Sequence, residues 1–209
     1  MTETTFDIVE PLIEAYTAEN VLRFYEIGTC DNIGWKRVFR RLLKLPTPSP
    51  DMQRAFEQLW MEHKYMAPAV GDHRLVVAVA RKLLTPYCGP AVRLFRGTHR
   101  QERQWHQYGL SWTADRVAAE RFAEPIHGSD GVVLETLALP PAIIHQMNYP
   151  KPITDQERAG ILRECPDAHF DEYHDEREYL VDRKFLTAVI AVSDGLSPAG
   201  CPDCGVEGG

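Results

Sequence analysis

The sequence predicts an α+β protein: a helical subdomain over residues 1–89, a strand-rich core over residues 90–195 and a tail over residues 196–209. Three observations predict it. Apolar residues recur at helical spacing through residues 6–83. After Gly89-Pro90 the texture changes to short apolar runs, some separated by turn signals such as Gly128-Ser129-Asp130-Gly131 and Pro140-Pro141. From Leu196 onward the chain is rich in Gly, Pro and Cys.

Phe6 to Tyr25 reads as a first helix, with Ile8, Leu12, Tyr16, Val21 and Phe24 on its apolar side and Pro11 near a first turn or a kink. Gly28 to Gly34 reads as a turn. A second helix is expected from Trp35 to Lys44, with Val38, Phe39, Leu42 and Leu43 on one side and Lys36, Arg37, Arg40 and Arg41 on the other. A basic face of that kind is most often solvated; docking of a partner or of nucleic acid is its other use. Pro46-Thr47-Pro48-Ser49-Pro50 is a linker by composition. Asp51 is expected to cap a third helix containing Phe56, Leu59 and Trp60, and Asp72 or His73 to open a fourth through Val76, Val79, Ala80 and Leu83.

The strand candidates are Ala91–Phe95, Leu110–Thr113, Gly131–Leu139, Ala142–His145, Glu178–Val181 and Phe185–Ser193. In the stretch Gly109-Leu110-Ser111-Trp112-Thr113, alternation sends Ser111 and Thr113 to one face and Leu110 and Trp112 to the other. Thr113 or Asp115 then caps a helix in which Ala118 and Phe122 recur at i, i+4. Such a strand is either an ordinary half-buried one or a device that holds two hydroxyls rigidly in a cleft.

Hydrophobic content of 44% and charged content of 25% belong to an ordinary globular protein. No apolar run approaches the roughly 18 residues of a membrane span. The opening Met1-Thr2-Glu3-Thr4-Thr5 has neither a basic start nor an apolar stretch, so a cytoplasmic location is expected; a toxin exported by another route would be compatible with it. The five cysteines, Cys30, Cys88, Cys165, Cys201 and Cys204, are scattered and odd in number, which favours reduced thiols. Cys201-Pro202-Asp203-Cys204 has the spacing of half a zinc site, with no second pair after it, and the eight histidines show no metal-ligand spacing. The net charge of −7 is uneven: residues 33–100 carry 13 basic and 4 acidic residues, against 1 and 7 before them and 9 and 19 after. A basic middle could serve an anionic ligand or make internal ion pairs, while the acidic total argues against tight nonspecific nucleic-acid binding.

Three pieces that can carry chemistry occur in order: Leu94-Phe95-Arg96-Gly97 at the end of the first strand, Ser111-Trp112-Thr113, and Glu176-Arg177-Glu178 opening a later strand. They offer a cation beside a glycine, aligned hydroxyls, and two carboxylates on one strand face. A glycine next to Arg96 could let a phosphate approach closely. Ser111 could hydrogen-bond a carboxylate and fix its rotamer, and a carboxylate near a sugar C1 could stabilise an oxocarbenium-like transition state.

The ordered trio resembles the Arg-Ser-Glu class of ADP-ribosyltransferases, the cholera-toxin-like branch, over roughly residues 91–193. The resemblance rests on Phe95-Arg96-Gly97, on Gly109 to Thr113 with the Ala119 and Phe122 helix, and on Glu176-x-Glu178 with the apolar residues after it. It implies an ADP-ribosyltransferase-like fold of split antiparallel β-sheets gripping NAD in a cleft, and a mono-ADP-ribosyltransferase that uses NAD as co-substrate. By the same resemblance Glu178 is the catalytic glutamate, Ser111 positions it, and Glu176 orients or deprotonates the acceptor. Arg96 and Gly97 contact the NAD phosphate or ribose, Thr113 supports the NAD site, and Phe122 lies among the apolar groups near nicotinamide. A glutamate at the position of Glu176 leans toward an arginine acceptor in a protein. Modification of RNA or DNA and NAD hydrolysis are alternatives within the fold, and a non-catalytic NAD-binding or protein-interaction module is the alternative outside it. Partners implied are a macromolecular acceptor, protein or nucleic acid, and an antitoxin or inhibitor, with no membrane.

The chain departs from the compact pattern in its long segment Asn148 to Asp175, where Phe170 and Tyr173 are candidates for target contacts, and in its helical N-terminal third. Each residue of the trio also has a plainer reading. Arg96 could end a strand at the surface, with Arg93 its rival, and Glu178 could be a solvated charge at a strand entrance. Asp171, Glu172, Asp175 and Glu176 could be an acidic loop. Trp112 is expected in the core, and Phe122 as a core residue that the resemblance alone brings near the ligand.

Overall fold

The computed structural model describes residues 9–30, 34–63, 65–124, 131–147 and 177–194. The chain divides into two compact units, Met1–Cys88 and Gly89–Gly209. Glu176, Phe170, Tyr173, Cys165, Cys201 and Cys204 lie outside the described residues.

The first unit is helical: α1 (Val9–Thr17), α2 (Val21–Gly28), α3 (Trp35–Leu42), α4 (Pro50–Glu62), α5 (Met66–Val70) and α6 (His73–Leu83). The single helix expected over Phe6–Tyr25 is two. Glu19 adopts φ 54°, and the Asn20 side chain accepts from the Arg23 amide to cap α2, so the chain turns where the apolar spacing merely continues. Ser49, not Asp51, caps α4, its Oγ accepting from the Met52 amide, while Pro50 takes the first helical turn where its missing N–H costs nothing. Asp72 caps α6 as its position suggested, its carboxylate accepting from the Leu75 amide. Leu12, Phe24, Phe39, Phe56, Leu59 and Leu83 form a core with no exposed surface. Lys82 Nζ donates to the Leu43 carbonyl at 2.8 Å and to that of Leu45, satisfying acceptors that the end of α3 leaves open.

Tyr16 is buried in this unit, and its hydroxyl donates to the Pro46 carbonyl at 2.9 Å. Burial, and secondarily the charge of Glu19, push its phenol up to about 12. The neutral phenol is the form the fold favours, so this contribution is complete below the ordinary phenol value of 10.0 and is lost as pH rises through about 12. Chemical denaturation from about pH 10 to about pH 12 should show the wild type losing on the order of 2 kcal/mol more than Tyr16→Phe. Parallel pH profiles for the two proteins would refute this.

The second unit is built on β1 (Val92–His99), β2 (Ser111–Thr113), β3 (Gly131–Ala138), β4 (Ile143–Gln146), β5 (Glu178–Val181) and β6 (Ile190–Asp194), with α7 (Arg100–Trp105) and α8 (Arg116–Ala123) between strands. All strand pairs are antiparallel, in the order β4-β5-β2-β1-β3-β6. Where the resemblance implied a split pair of sheets, the strands join as one sheet. Its two halves meet at a single registered pair, Phe95↔Thr113, whereas β1 follows β3 from Val92↔Ala138 to His99↔Gly131. β1 also runs past the expected end at Phe95, so Arg96 and Gly97 stand within the strand. β6 begins only at Ile190; before it, Asp182 accepts from the Lys184 amide, and residues 183–185 form a short 3-10 segment in place of the start of the expected strand.

α8 lies on the face that carries Phe95 and Val133, which pack with Ala119 and Ala123. The helix comes unusually close. A Cβ added at Gly97 would fall 2.6 Å from the Ala123 amide and 2.8 Å from the Phe122 carbonyl carbon, closer still to the Ala119 oxygen, and one at Gly131 would meet the Ala123 carbonyl. Alanines on the helix and glycines on the strands are what allow backbone to lie against backbone. Trp112 is buried as expected, its Nε1 donating to the Gly109 carbonyl at 3.2 Å.

Candidate functional site

Three strand segments distant in sequence become neighbours: β5, β2 and β1 stand side by side. Phe95 pairs with Thr113, and Thr113 with Glu178, so these three share one face. Glu178 therefore directly faces Thr113. Ser111 pairs with Leu180, which puts it on the same face and diagonal to Glu178. The expected pairing of Ser111 with the glutamate is thus a diagonal one, and the hydroxyl straight across from the carboxylate is that of Thr113.

Glu178 is half-buried at the first position of β5. Its backbone is held from two sides: its carbonyl accepts from the Met147 amide at 2.9 Å, and the carbonyl of Arg177 before it accepts from the Ala114 amide at 3.1 Å. Arg177 itself adopts φ 42°, a left-handed conformation that is unfavourable for a side chain of its kind. The neighbouring strands thus over-determine the entrance to β5, which lets the strained conformation persist.

Thr113 is buried, and its Oγ1 accepts from the Asp115 amide at 2.9 Å. The Asp115 carboxylate then accepts from the Val117 amide at 2.8 Å and caps α8. Thr113 supports the strand by bonding into the strand-to-helix turn, while Asp115 supplies the cap.

Among the described residues Arg96 makes three hydrogen bonds. Its Nη1 donates to the Ser111 carbonyl at 2.7 Å, and its Nε and Nη2 each donate to the Glu102 carboxylate at 3.1 Å. The Arg96 side chain is 18% exposed and that of Glu102 32%. Read from the sequence as a cation beside a glycine, Arg96 is in the structure one half of a bidentate ion pair. Its guanidinium still carries more N–H groups than these bonds use. The bare Cα of Gly97 faces α8, so helix packing by itself requires the absence of a side chain there. Gly109 is the glycine that faces Arg96: an added Cβ would lie 2.8 Å from the guanidinium carbon.

Phe122 is 50% exposed and not a core residue. The buried face of α8 consists of Ala118, Ala119 and Ala123, because the close approach over Gly97 and Gly131 has no room for a ring. Arg93 lies near Glu135 (3.4 Å) and is 71% exposed. Glu102 is the participant that sequence reasoning missed. It sits on α7, a helix with no buried residue and hence no apolar periodicity to announce it.

Among the described residues no group of His, Cys, Asp and Glu side chains is placed to hold a metal ion, and no helix is long and apolar enough to cross a membrane. No protein-family model, curated protein or solved structure matches the chain.

Proposed function

We propose that the protein is an NAD-dependent mono-ADP-ribosyltransferase whose site lies where β1, β2 and β5 meet. One observation carries the reading: the three motifs singled out in the sequence, from Arg96 to Glu178, fall on three adjacent strands, with Ser111, Thr113 and Glu178 on a common face. The residues fit such a substrate in kind, with a half-buried carboxylate, hydroxyls beside it, a guanidinium and the half-exposed ring of Phe122 on the adjoining helix.

NAD supplies the glycosidic bond between C1 and nicotinamide, which breaks with its electron pair leaving on nicotinamide. Glu178 bonds the adjacent ribose hydroxyl and opposes the positive charge that develops at C1. Ser111 and Thr113 hold that carboxylate in place. Glu176 takes the proton of the acceptor as the acceptor attacks C1, a role assigned by resemblance alone. The test is nicotinamide release from NAD by the purified protein, alone and with the protein and nucleic-acid fractions of a cell lysate. Release with label in the protein fraction is the expected result. Label in nucleic acid, or release to water alone, would change the acceptor, and absence of both NAD binding and release would overturn the reading.

A further inference from the structure

We infer that Glu102 is a positioning residue of this site, acting through Arg96 on the strand that carries Ser111 and Thr113; the inference rests on the function proposed above. β1 and β2 are registered at Phe95↔Thr113 and at no other pair. Continued in antiparallel sense, the register would bring Gly97 opposite Ser111, but there the strands part. The Ser111 carbonyl then needs another donor, since a main-chain acceptor left unpaired in a partly buried place is costly. Arg96 Nη1 provides it at 2.7 Å, so the guanidinium bridges the gap between the halves of the sheet.

An arginine side chain has many rotamers, and one hydrogen bond does not select among them. Glu102 does so by engaging the other edge of the guanidinium: Oε2 accepts from Nε and Oε1 from Nη2, both at 3.1 Å, which fixes its plane as well as its place. Glu102 Oε2 also accepts from the Gly109 amide at 3.4 Å, and the bare Cα of Gly109 leaves room for the guanidinium. Gly109, Glu102, Arg96 and Ser111 thus form one closed chain of contacts around the start of β2. α7 buries no side chain, so polar contacts, those of Glu102 among them, tie it to the strands. Partial shielding of both partners separates this pair from the exposed surface pairs that contribute little.

Glu102→Gln keeps the shape but removes the charge and turns one acceptor into a donor facing another donor. Its kcat for nicotinamide release should fall about 10- to 100-fold, by more than KM for NAD rises, the signature of a misaligned site. Amide hydrogen exchange over residues 109–113 should rise in the same variant, and Glu102→Asp should recover part of both. In Arg96→Lys, adding Glu102→Gln should cost little more, because the two residues act as a unit. Wild-type kcat and wild-type exchange in Glu102→Gln would overturn the inference, as would a loss confined to KM. Should Glu102→Gln fail to fold, Glu102→Asp against the wild type makes the same comparison. Should the wild-type protein itself not cleave NAD, the proposed function falls, and exchange over residues 109–113 still decides whether Glu102 holds β2.

Discussion

Glu178→Gln is expected to lower nicotinamide release from NAD by about 10³-fold while leaving the fold intact, the loss typical when a transition-state charge loses its preorganised counterpart. The amide keeps the size of the carboxylate but not its charge. The main-chain bonds at this position, from the Met147 amide to the Glu178 carbonyl and from the Ala114 amide to the Arg177 carbonyl, are ones the substitution does not touch, and an amide side chain can still donate and accept hydrogen bonds. Thermal unfolding should therefore be close to wild type while turnover is lost. A variant that retains wild-type turnover would remove Glu178 from catalysis and with it the proposed mechanism. NAD binding retained by Glu178→Gln would add that binding and bond cleavage are separable in this site.

Gly97→Ala is expected to destabilise the strand-rich unit by roughly 3 kcal/mol or more, through overpacking that the neighbours cannot relieve. The added methyl would collide with the backbone of α8 at Ala119, Phe122 and Ala123, not with the movable end of a side chain. Thermal unfolding followed by circular dichroism should show a midpoint lowered by about 10 °C for a domain of this size. Gly34→Ala is the control: its methyl would meet Val9 Cγ2 at 3.4 Å, an ordinary contact, and should cost less than about 1 kcal/mol. Equal midpoints for Gly97→Ala and the wild type would mean that α8 does not pack against β1 as described. The same experiment separates two uses of this glycine. A pure packing role lowers stability, whereas a glycine kept for phosphate approach would lower NAD affinity at unchanged stability.

Periodicity made much of the molecule legible. Val38, Phe39 and Leu42 announce α3, and the alternation of Ser111, Trp112 and Thr113 announces a strand with its indole inside, because the spacing of side chains along one element follows from that element's own geometry. Caps were less legible, since competing residues stand close together: Ser49 precedes Pro50 and Asp51, and the one whose oxygen reaches the Met52 amide is Ser49. α7 had no apolar stripe to read, and Glu102 on it could not be connected to Arg96 six residues earlier.

By itself the sequence determined the change of texture after Gly89-Pro90, the helical character of the residues before that point, the strand character of those after it, and the residues on which chemistry could rest. Tertiary structure alone decided which of those residues meet. Glu178 lies more than sixty positions from Thr113 in the chain, and no local rule sets the register between their strands; pairing across β2 and β5 sets it, and a shift of one residue would have turned the carboxylate to the other face. Tertiary structure likewise gave Gly97 to helix packing, left Phe122 half-exposed beside alanines that had to be small, and joined Arg96 to Glu102 and the Ser111 carbonyl. Each outcome depends on how closely two separate elements approach, a distance set by all the side chains between them and carried by no single stretch of chain.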